Sequence, residues 1–271
     1  DRRTGRCSAR SGADHGSIST DAPSSKQNKQ ATDQLWYPSI KSDALVWNQV
    51  PSVLTSNQRE RTMSSPKLLL IAGGSGSGKT AVATQIQRLQ GRDRCLTLSQ
   101  DSFYQDLSHL DLRLRNRLNF DHPDRIDWDE LERTLARLRH GEPAAVPIYD
   151  FTQHARRGYR KVGPVSDLIV LEGTLLLVRR EAAEQADLRV FLTAPEWTRL
   201  LRRLDRDRRE RGRSTASVLR QYVSSVAPMY RRWVAPSRAS ADVLLDGRRP
   251  PEENAQRLLA LMETRRPART D

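Results

Sequence analysis

The sequence predicts an α/β fold, a doubly wound parallel sheet of about five core strands with helices on both faces. Three observations predict it. From Lys67 onward, short apolar runs alternate with stretches of helical period, the pattern of repeated strand–helix units. The first run, Leu68–Ala72, passes straight into a glycine-rich turn and then into a helix-forming stretch. Two further apolar runs stop at Gln100-Asp101 and at Glu172-Gly173, so polar groups collect at strand carboxyl ends, where open parallel sheets bind ligands.

The elements follow in order. Lys67–Ala72 is the first strand, and the helix after the turn runs to about Gln90, where Gly91 stops it. Cys95–Ser99 is a short second strand. Asp127 opens a helix whose Leu131, Leu135 and Leu138 share one face before Gly141. Ala144–Asp150 and Tyr159–Val165 read as a β-hairpin beside the main sheet, joined through Gln153–Gly158. Leu168–Leu171 and Leu188–Leu192 are apolar strands. Pro195 starts the next helix at a position proline favours, and arginine crowds it from Arg199 to Arg213. Ser217–Trp233 is helical, Ala241–Leu245 is the last strand, and Pro250–Met262 is the last helix.

The turn after the first strand reads Gly73-Gly74-Ser75-Gly76-Ser77-Gly78-Lys79-Thr80, the P-loop pattern G-x-x-x-x-G-K-[ST]. Its glycines let successive backbone N–H groups curl inward around a phosphate, and the following helix adds its positive end. Lys79 reaches the β- and γ-phosphates, and Thr80 offers a hydroxyl to Mg²⁺. The fold is therefore of P-loop NTPase type, and the chain binds a nucleoside triphosphate. Asp101 is placed to accept a proton from an attacking hydroxyl or to hold Mg²⁺, although an aspartate after a strand also serves as a helix cap. Glu172 suits the second acidic position beside the metal. The arginine helix reads either as a lid over the triphosphate or as a charged surface helix, with Asp205, Asp207 and Glu210 forming solvated pairs worth little each. His154, with Tyr149, Phe151 and Arg156, suits a planar heterocycle, although a lone loop histidine is commonly structural.

Composition bounds the partners. The 271 residues carry a formal charge of +13. From Met63 onward 37 Lys+Arg face 27 Asp+Glu, an excess of 10, and only three of the 37 are lysine. Such an arginine preference fits a GC-rich coding bias as well as a polyanion surface. A nucleic-acid partner is disfavoured because no aromatics are interleaved for stacking. No apolar run has the length of a membrane span. Two widely spaced cysteines argue against a disulfide framework or a zinc site and fit a reducing cytoplasm. Residues 1–62 are polar, with two short apolar islands, and read as a disordered extension, in one view translated upstream sequence and in another a regulatory or targeting tail. The kinase domain is expected over 63–271.

Several phrases together resemble the uridine–cytidine kinase family, within the group that includes phosphoribulokinase and bacterial pantothenate kinase. They are the P-loop, Ser99–Tyr104, Asn119–Asp124, Pro147–Phe151 with His154-Ala155-Arg156, Leu171-Glu172-Gly173, Asp207 to Arg213, Gln221-Tyr222 and Ala241-Asp242-Val243. They span about residues 66 to 247 in the family's order. The resemblance implies ATP as phosphate donor and Asp101 as general base for the 5′-hydroxyl of a pyrimidine nucleoside, giving UMP or CMP in pyrimidine salvage. It implies that Thr80, Asp101 and Glu172 organise Mg²⁺, and that Arg203 and Arg206 are lid arginines on the phosphates. Asp121 and Arg213 would bind the ribose, with Gln221 nearby and Arg211 in the same substrate-binding turn. Tyr149, Phe151 and His154 would form the base pocket. Trp128, beside the ribose phrase, departs from the pattern. A kinase of another small alcohol (pantothenate, ribulose 5-phosphate, nicotinamide riboside) and a non-catalytic nucleotide- or nucleic-acid-binding protein are the alternatives. A GTPase is disfavoured by the lack of an N-K-x-D phrase, and a transport ATPase by the lack of L-S-G-G-Q. Oligomerisation with copies of itself is left open.

Overall fold

Leu68 to Ala72 carry no polar side chain, which suits a strand covered on both faces. The computed structural model, which describes residues 65–165 and 167–264, has this strand, β1 (Lys67–Gly73), in the middle of its sheet. The expectation for residues 1–62 lies outside the described residues. Leu68, Leu70 and Ala72 belong to one buried cluster, and Leu69 and Ile71 to another on the opposite face. That alternation is the period of two a strand imposes.

After β1 come α1 (Lys79–Gln90), β2 (Cys95–Ser99), a short α2 (Leu112–Arg115) and α3 (Trp128–Arg139). The hairpin β3 (Ala144–Asp150) and β4 (Ala155–Val162) precedes β5 (Leu168–Gly173), α4 (Arg180–Glu184), β6 (Leu188–Thr193) and α5 (Glu196–Arg209). The chain ends its described course through α6 (Thr215–Gln221), α7 (Ala227–Met229), α8 (Ala235–Ser237), β7 (Val243–Asp246) and α9 (Pro251–Thr264). The main sheet is parallel throughout, in the order β2-β5-β1-β6-β7. The five predicted core strands are therefore present. Val82, Ala83 and Ile86 of α1 join Ala255, Leu258 and Met262 of α9 on one face. Leu131, Leu135 and Leu138 of α3 pack on the other with Val146 and Val162 of the hairpin.

Several predicted boundaries move, among them the last strand, which runs Val243–Asp246 rather than Ala241–Leu245. The second hairpin strand starts at Ala155 rather than Tyr159 and ends at Val162 rather than Val165. The extended backbone at Arg156 is held by the side chain's own bonds to Glu130, Asp127 and the Tyr104 carbonyl. A strand with Arg156, Arg157, Arg160 and Lys161 in it gives little apolar alternation to read, and Pro164 has no N–H to continue the ladder. The arginine helix ends at Arg209, and Gly212, at φ 60°, turns the chain so that Arg213 N–H reaches the Asp207 carbonyl at 3.1 Å. The predicted Ser217–Trp233 helix begins earlier, at Thr215, and contains π-helical turns at Tyr222–Val226 and Tyr230–Val234. Each π turn precedes a proline, Pro228 or Pro236, whose ring crowds the carbonyl four residues back and whose missing N–H breaks the regular ladder.

Candidate active site

The P-loop leaves β1 and enters α1 at the carboxyl edge of the sheet, as the sequence requires. Gly76 and Gly78 have φ of 80° and 104°, conformations that L side chains rarely adopt. Gly74 is required for a different reason: a Cβ there would stand 2.5 Å from Arg199 Nη1, the guanidinium of which lies 3.8 Å over the Tyr230 ring. Ser77 is fully buried and Ser75 points outward enough to accept a hydrogen bond from Arg203 Nη1 at 2.9 Å. Lys79 is buried and folds back over the loop, Nζ to the Gly74 carbonyl at 3.1 Å. Burial pulls its pKa down, against the charges of Glu172 and Asp101. A lysine desolvated beside a ring of N–H donors gains most from an incoming polyanion.

Glu172 closes β5 and is buried, and burial raises its pKa despite Lys79 and hydrogen bonds from the Ser99 and Thr80 hydroxyls. Asp101 sits in a 3₁₀ turn, Gln100–Phe103, capped by Ser99 Oγ at 3.3 Å. Its charge acts on both Lys79 and Glu172, so P-loop, Asp101 and Glu172 converge as expected. Gln100 fixes the turn: its Oε1 accepts Leu175 N–H at 2.9 Å, and its side chain fills the space where any Cβ on Gly173 would lie. The glycine of Glu172-Gly173 is thus the seat for the residue that aims Asp101.

Aromatic rings gather on the hairpin side. His154 stacks on Phe120 at 4.4 Å and 17°, Tyr104 contacts Phe120 and Tyr149, and Phe151 meets Tyr149 edge-on. His154 has φ 48°, unusual for a residue other than glycine. Burial, then the charge of Arg115, lowers its pKa, so its imidazole is neutral through the physiological range. Asp121 lies between this cluster and the phosphate loop. It shares a narrow cavity with Ser75 and Tyr230, and its charge reaches Tyr104 on one side and Arg203 on the other. Arg211 Cζ stands 5.1 Å over the Phe151 ring, bringing the turn after α5 to the aromatic cluster.

The arginines of α5 and of the turn after it are organised by Asp207, which has no exposed side-chain surface. Its Oδ1 accepts Arg206 Nη2 at 2.8 Å, and Arg213, Arg203 and Arg211 lie at 3.4, 3.6 and 3.7 Å. Burial pushes this carboxyl up, but the charges of Arg206, Arg203 and Arg211 outweigh it and hold the group below the usual carboxylate range. Gln221 Oε1 accepts from both Arg203 (3.0 Å) and Arg213 (2.6 Å).

The sequence pattern of the phosphoribulokinase / uridine kinase family matches residues 68–252. The chain belongs to this family. A uridine kinase of Lactobacillus helveticus is 40% identical over 184 residues, 68% of this chain and 87% of that protein. One of Staphylococcus epidermidis is 39% identical over 68% of this chain and 88% of its own length. Among solved structures, D-glycerate 3-kinase from Cryptococcus neoformans superposes with a TM-score of 0.52 at 18% identity, covering 72% of this chain and 91% of that one. Phosphoribulokinase from Rhodobacter spheroides gives 0.50 at 18%, over 68% and 70%. These two likenesses speak to the fold.

For this member of the phosphoribulokinase / uridine kinase family, the predicted site residues fall into two contiguous groups. The loop Gly73–Thr80, Asp101 and Glu172 lie together at the carboxyl edge of the sheet, and Tyr149, Phe151, His154 and Asp121 lie on the hairpin side. Arg203 spans the two. Arg213 and Gln221, expected near the ribose, bond to each other, and through Asp207 and Arg203 they join the arginine cluster of α5. Asp207 itself corrects the reading of solvated acids on this helix, because the pattern Arg203-x-x-Arg206-Asp207 turns it inward. Asp205, paired with Arg209 in the open, behaves as expected. Of the eight arginines from Arg199 to Arg213, Arg202, Arg208, Arg209 and Arg211 are exposed, but Arg202 donates to the Gly247 carbonyl at 2.9 Å and Arg211 lies beside Asp207 and Phe151, which leaves the plain surface role to Arg208 and Arg209. Arg156 is a strut, bonded at 2.5 Å to Glu130 and 3.1 Å to Asp127. Trp128 is structural, its indole N–H on the Pro123 carbonyl at 3.1 Å. Tyr104 and Phe120, inside the quoted phrases, went without a role because only the fold packs their rings against Tyr149 and His154.

Among the described residues no group of three His, Cys, Asp or Glu side chains has the spacing of an all-protein metal cage. The donor set still fits Mg²⁺, which uses one or two carboxylates together with phosphate oxygens and water. Buried Glu172, ringed by the Thr80 and Ser99 hydroxyls and near Asp101, supplies hard oxygen donors of that kind. No helix among the described residues is long and apolar enough to cross a membrane.

Proposed function

We propose that this chain transfers the γ-phosphoryl group of ATP to the 5′-hydroxyl of uridine or cytidine, giving UMP or CMP in pyrimidine salvage in the cytoplasm. The observation that carries the reading is the location of Asp121, with the P-loop serine and Arg203 on one side and the ring cluster of Tyr104, Phe120 and His154 on the other. A nucleoside whose sugar meets Asp121 would have its base among the rings and its 5′ end toward Asp101. The 36–40% identity to relatives named uridine kinase supports the same substrate class.

Each side chain has a task in that reaction. The P-loop amides and Lys79 hold the β- and γ-phosphates, and Arg203 and Arg206 reach over them from the lid. Asp101 accepts the proton of the attacking 5′-hydroxyl as the new O–P bond forms and the bond from the γ-phosphorus to the β–γ bridging oxygen breaks, so that ADP leaves with the electron pair. Neutral His154 offers one donor and one acceptor to the edge of the pyrimidine. Mg²⁺ held by Thr80 and Glu172, with Asp101 directly or through water, would neutralise charge on the β- and γ-phosphoryl oxygens. Positioning and fixed charge supply most of the rate in such transfers.

A coupled ATP-consumption assay with uridine, cytidine, adenosine, pantothenate and ribulose 5-phosphate tests the reading. Turnover is expected with uridine or cytidine, and Asp101→Asn should lower kcat by about 10² to 10⁴. Turnover confined to pantothenate or ribulose 5-phosphate would keep the phosphoryl-transfer site and overturn the base pocket.

A further inference from the structure

Asp121 does not stand alone. The hydroxyl of Ser225, in the first π turn, lies 2.7 Å from Asp121 Oδ2 and 2.6 Å from Asn119 Oδ1. Asn119 Oδ1 also accepts the backbone N–H of Asp121 at 3.1 Å. A serine has one hydroxyl hydrogen, so it cannot satisfy both acceptors together. The carboxylate, as the charged acceptor, takes it. Turning the Asn119 amide over does not help, because its NH₂ would then face the Asp121 N–H. The cluster therefore holds more acceptors than donors. Asp121 Oδ1 accepts no protein hydrogen bond among the described residues.

An oxygen cluster short of hydrogens, at the edge of a narrow cavity, is complementary to a ligand that brings hydroxyl donors on adjacent atoms. Asp121 alone would give one carboxylate. With Ser225 holding Oδ2, the carboxylate is fixed in rotation, Oδ1 is left for one hydroxyl, and Ser225 Oγ with Asn119 Oδ1 is left for its neighbour. We infer that Ser225 is a further specificity-determining residue at the expected ribose end of the site: it holds Oδ2 of Asp121, offers its own oxygen to one hydroxyl of the vicinal diol, and so strengthens the preference for ribonucleosides over deoxynucleosides. This rests on the nucleoside reading above and adds the residue that reads the sugar. The π turn matters to it, since that turn presents Ser225 to the Asn119–Asp121 loop from across the cleft.

Steady-state kinetics of the full chain separate the two claims. Wild type and Ser225→Ala are compared with uridine, 2′-deoxyuridine and 3′-deoxyuridine at saturating ATP, with thermal melting to check folding. Ser225→Ala should raise the uridine KM about tenfold, toward the upper end of the range for one neutral hydrogen bond. The analogue that lacks the hydroxyl facing Ser225 should change by less than about twofold, so its disadvantage shrinks. The KM for ATP should hold, and Ser225→Thr should restore the uridine KM. An equal loss for all three nucleosides, or no loss for uridine, would overturn the diol assignment while leaving the nucleoside reading in place. Wild type that fails to phosphorylate uridine would overturn the nucleoside reading, and this inference with it.

Discussion

Four guanidiniums surround Asp207, and a carboxylate with no exposed surface has to be matched by charge or it would not stay ionised. Arg203 is buried with it, while Arg206, Arg211 and Arg213 keep roughly a third or less of their side chains in water. Removing the charge with Asp207→Asn leaves Arg203 unmatched and lets the other three splay. The expected cost is about 3 kcal/mol, the lower end for a broken buried pair because three of the partners can rehydrate. Urea unfolding checks it. The folded-state pKa of Asp207 lies below the ordinary aspartate value of 3.8, so its contribution is complete above that value and is lost as pH falls through the lower one. The stability gap between wild type and Asp207→Asn should therefore be flat from neutral pH down to about 4 and close below it. His154 gives a second pH test. Its pKa is lowered from 6.5, so the neutral ring persists as pH falls past that value. The nucleoside KM is expected to be level between about pH 6.5 and 8 and to rise only in more acid solution. A rise already at pH 7 would remove the neutral imidazole from base recognition.

The helical segment after the arginine turn owes its shape to two prolines. An α-helix through Tyr222–Val226 would bring the ring of Pro228 against the Ser224 carbonyl, and the wider π turn relieves that contact. Pro228→Ala restores the N–H and removes the ring, so the segment should relax toward α-helix and Ser225 should turn away from Asp121. The expected result is a several-fold higher nucleoside KM with the ATP KM held, and a stability change within about 1 kcal/mol. Kinetics with both substrates, beside a melting curve, measure it; a parallel rise in both KM values would mean that the segment serves closure and not the acceptor. At this scale the sequence showed its limits. Helical period in Ser217–Trp233 was visible and the prolines were in plain sight. Whether a proline kinks, ends or widens a helix depends on what packs against it, and here Tyr222, Val226 and Ala227 pack with Leu200 and keep the segment continuous.

Residues 68–252 match the family pattern as one stretch, and the phosphate and acceptor groups both fall inside it. We propose that the kinase domain is complete from Met63. A chain beginning there should keep kcat/KM for uridine within about twofold, the size of change expected where no site contact is lost; a larger loss would give the first 62 residues a part in the site. The sequence by itself determined the sheet, the phosphate loop and the two strand-end carboxylates. It did so because those features are local: an apolar run, a glycine spacing and an acid at a strand end each fix their geometry within a few residues. Through the resemblance carried by the phrases around Asp121 and Tyr149, it also singled out residues that the fold gathers on the hairpin side. Only the tertiary structure decided which acids and arginines face inward. Asp205 and Asp207 are two residues apart with the same neighbours in composition, and the packing of α5 against the P-loop and α6 buries one and exposes the other. Ser225 and Asn119 are 106 residues apart and hold no motif in common. Their contact exists because the fold packs the π-helical segment against the Asn119–Asp121 loop, which no local pattern encodes.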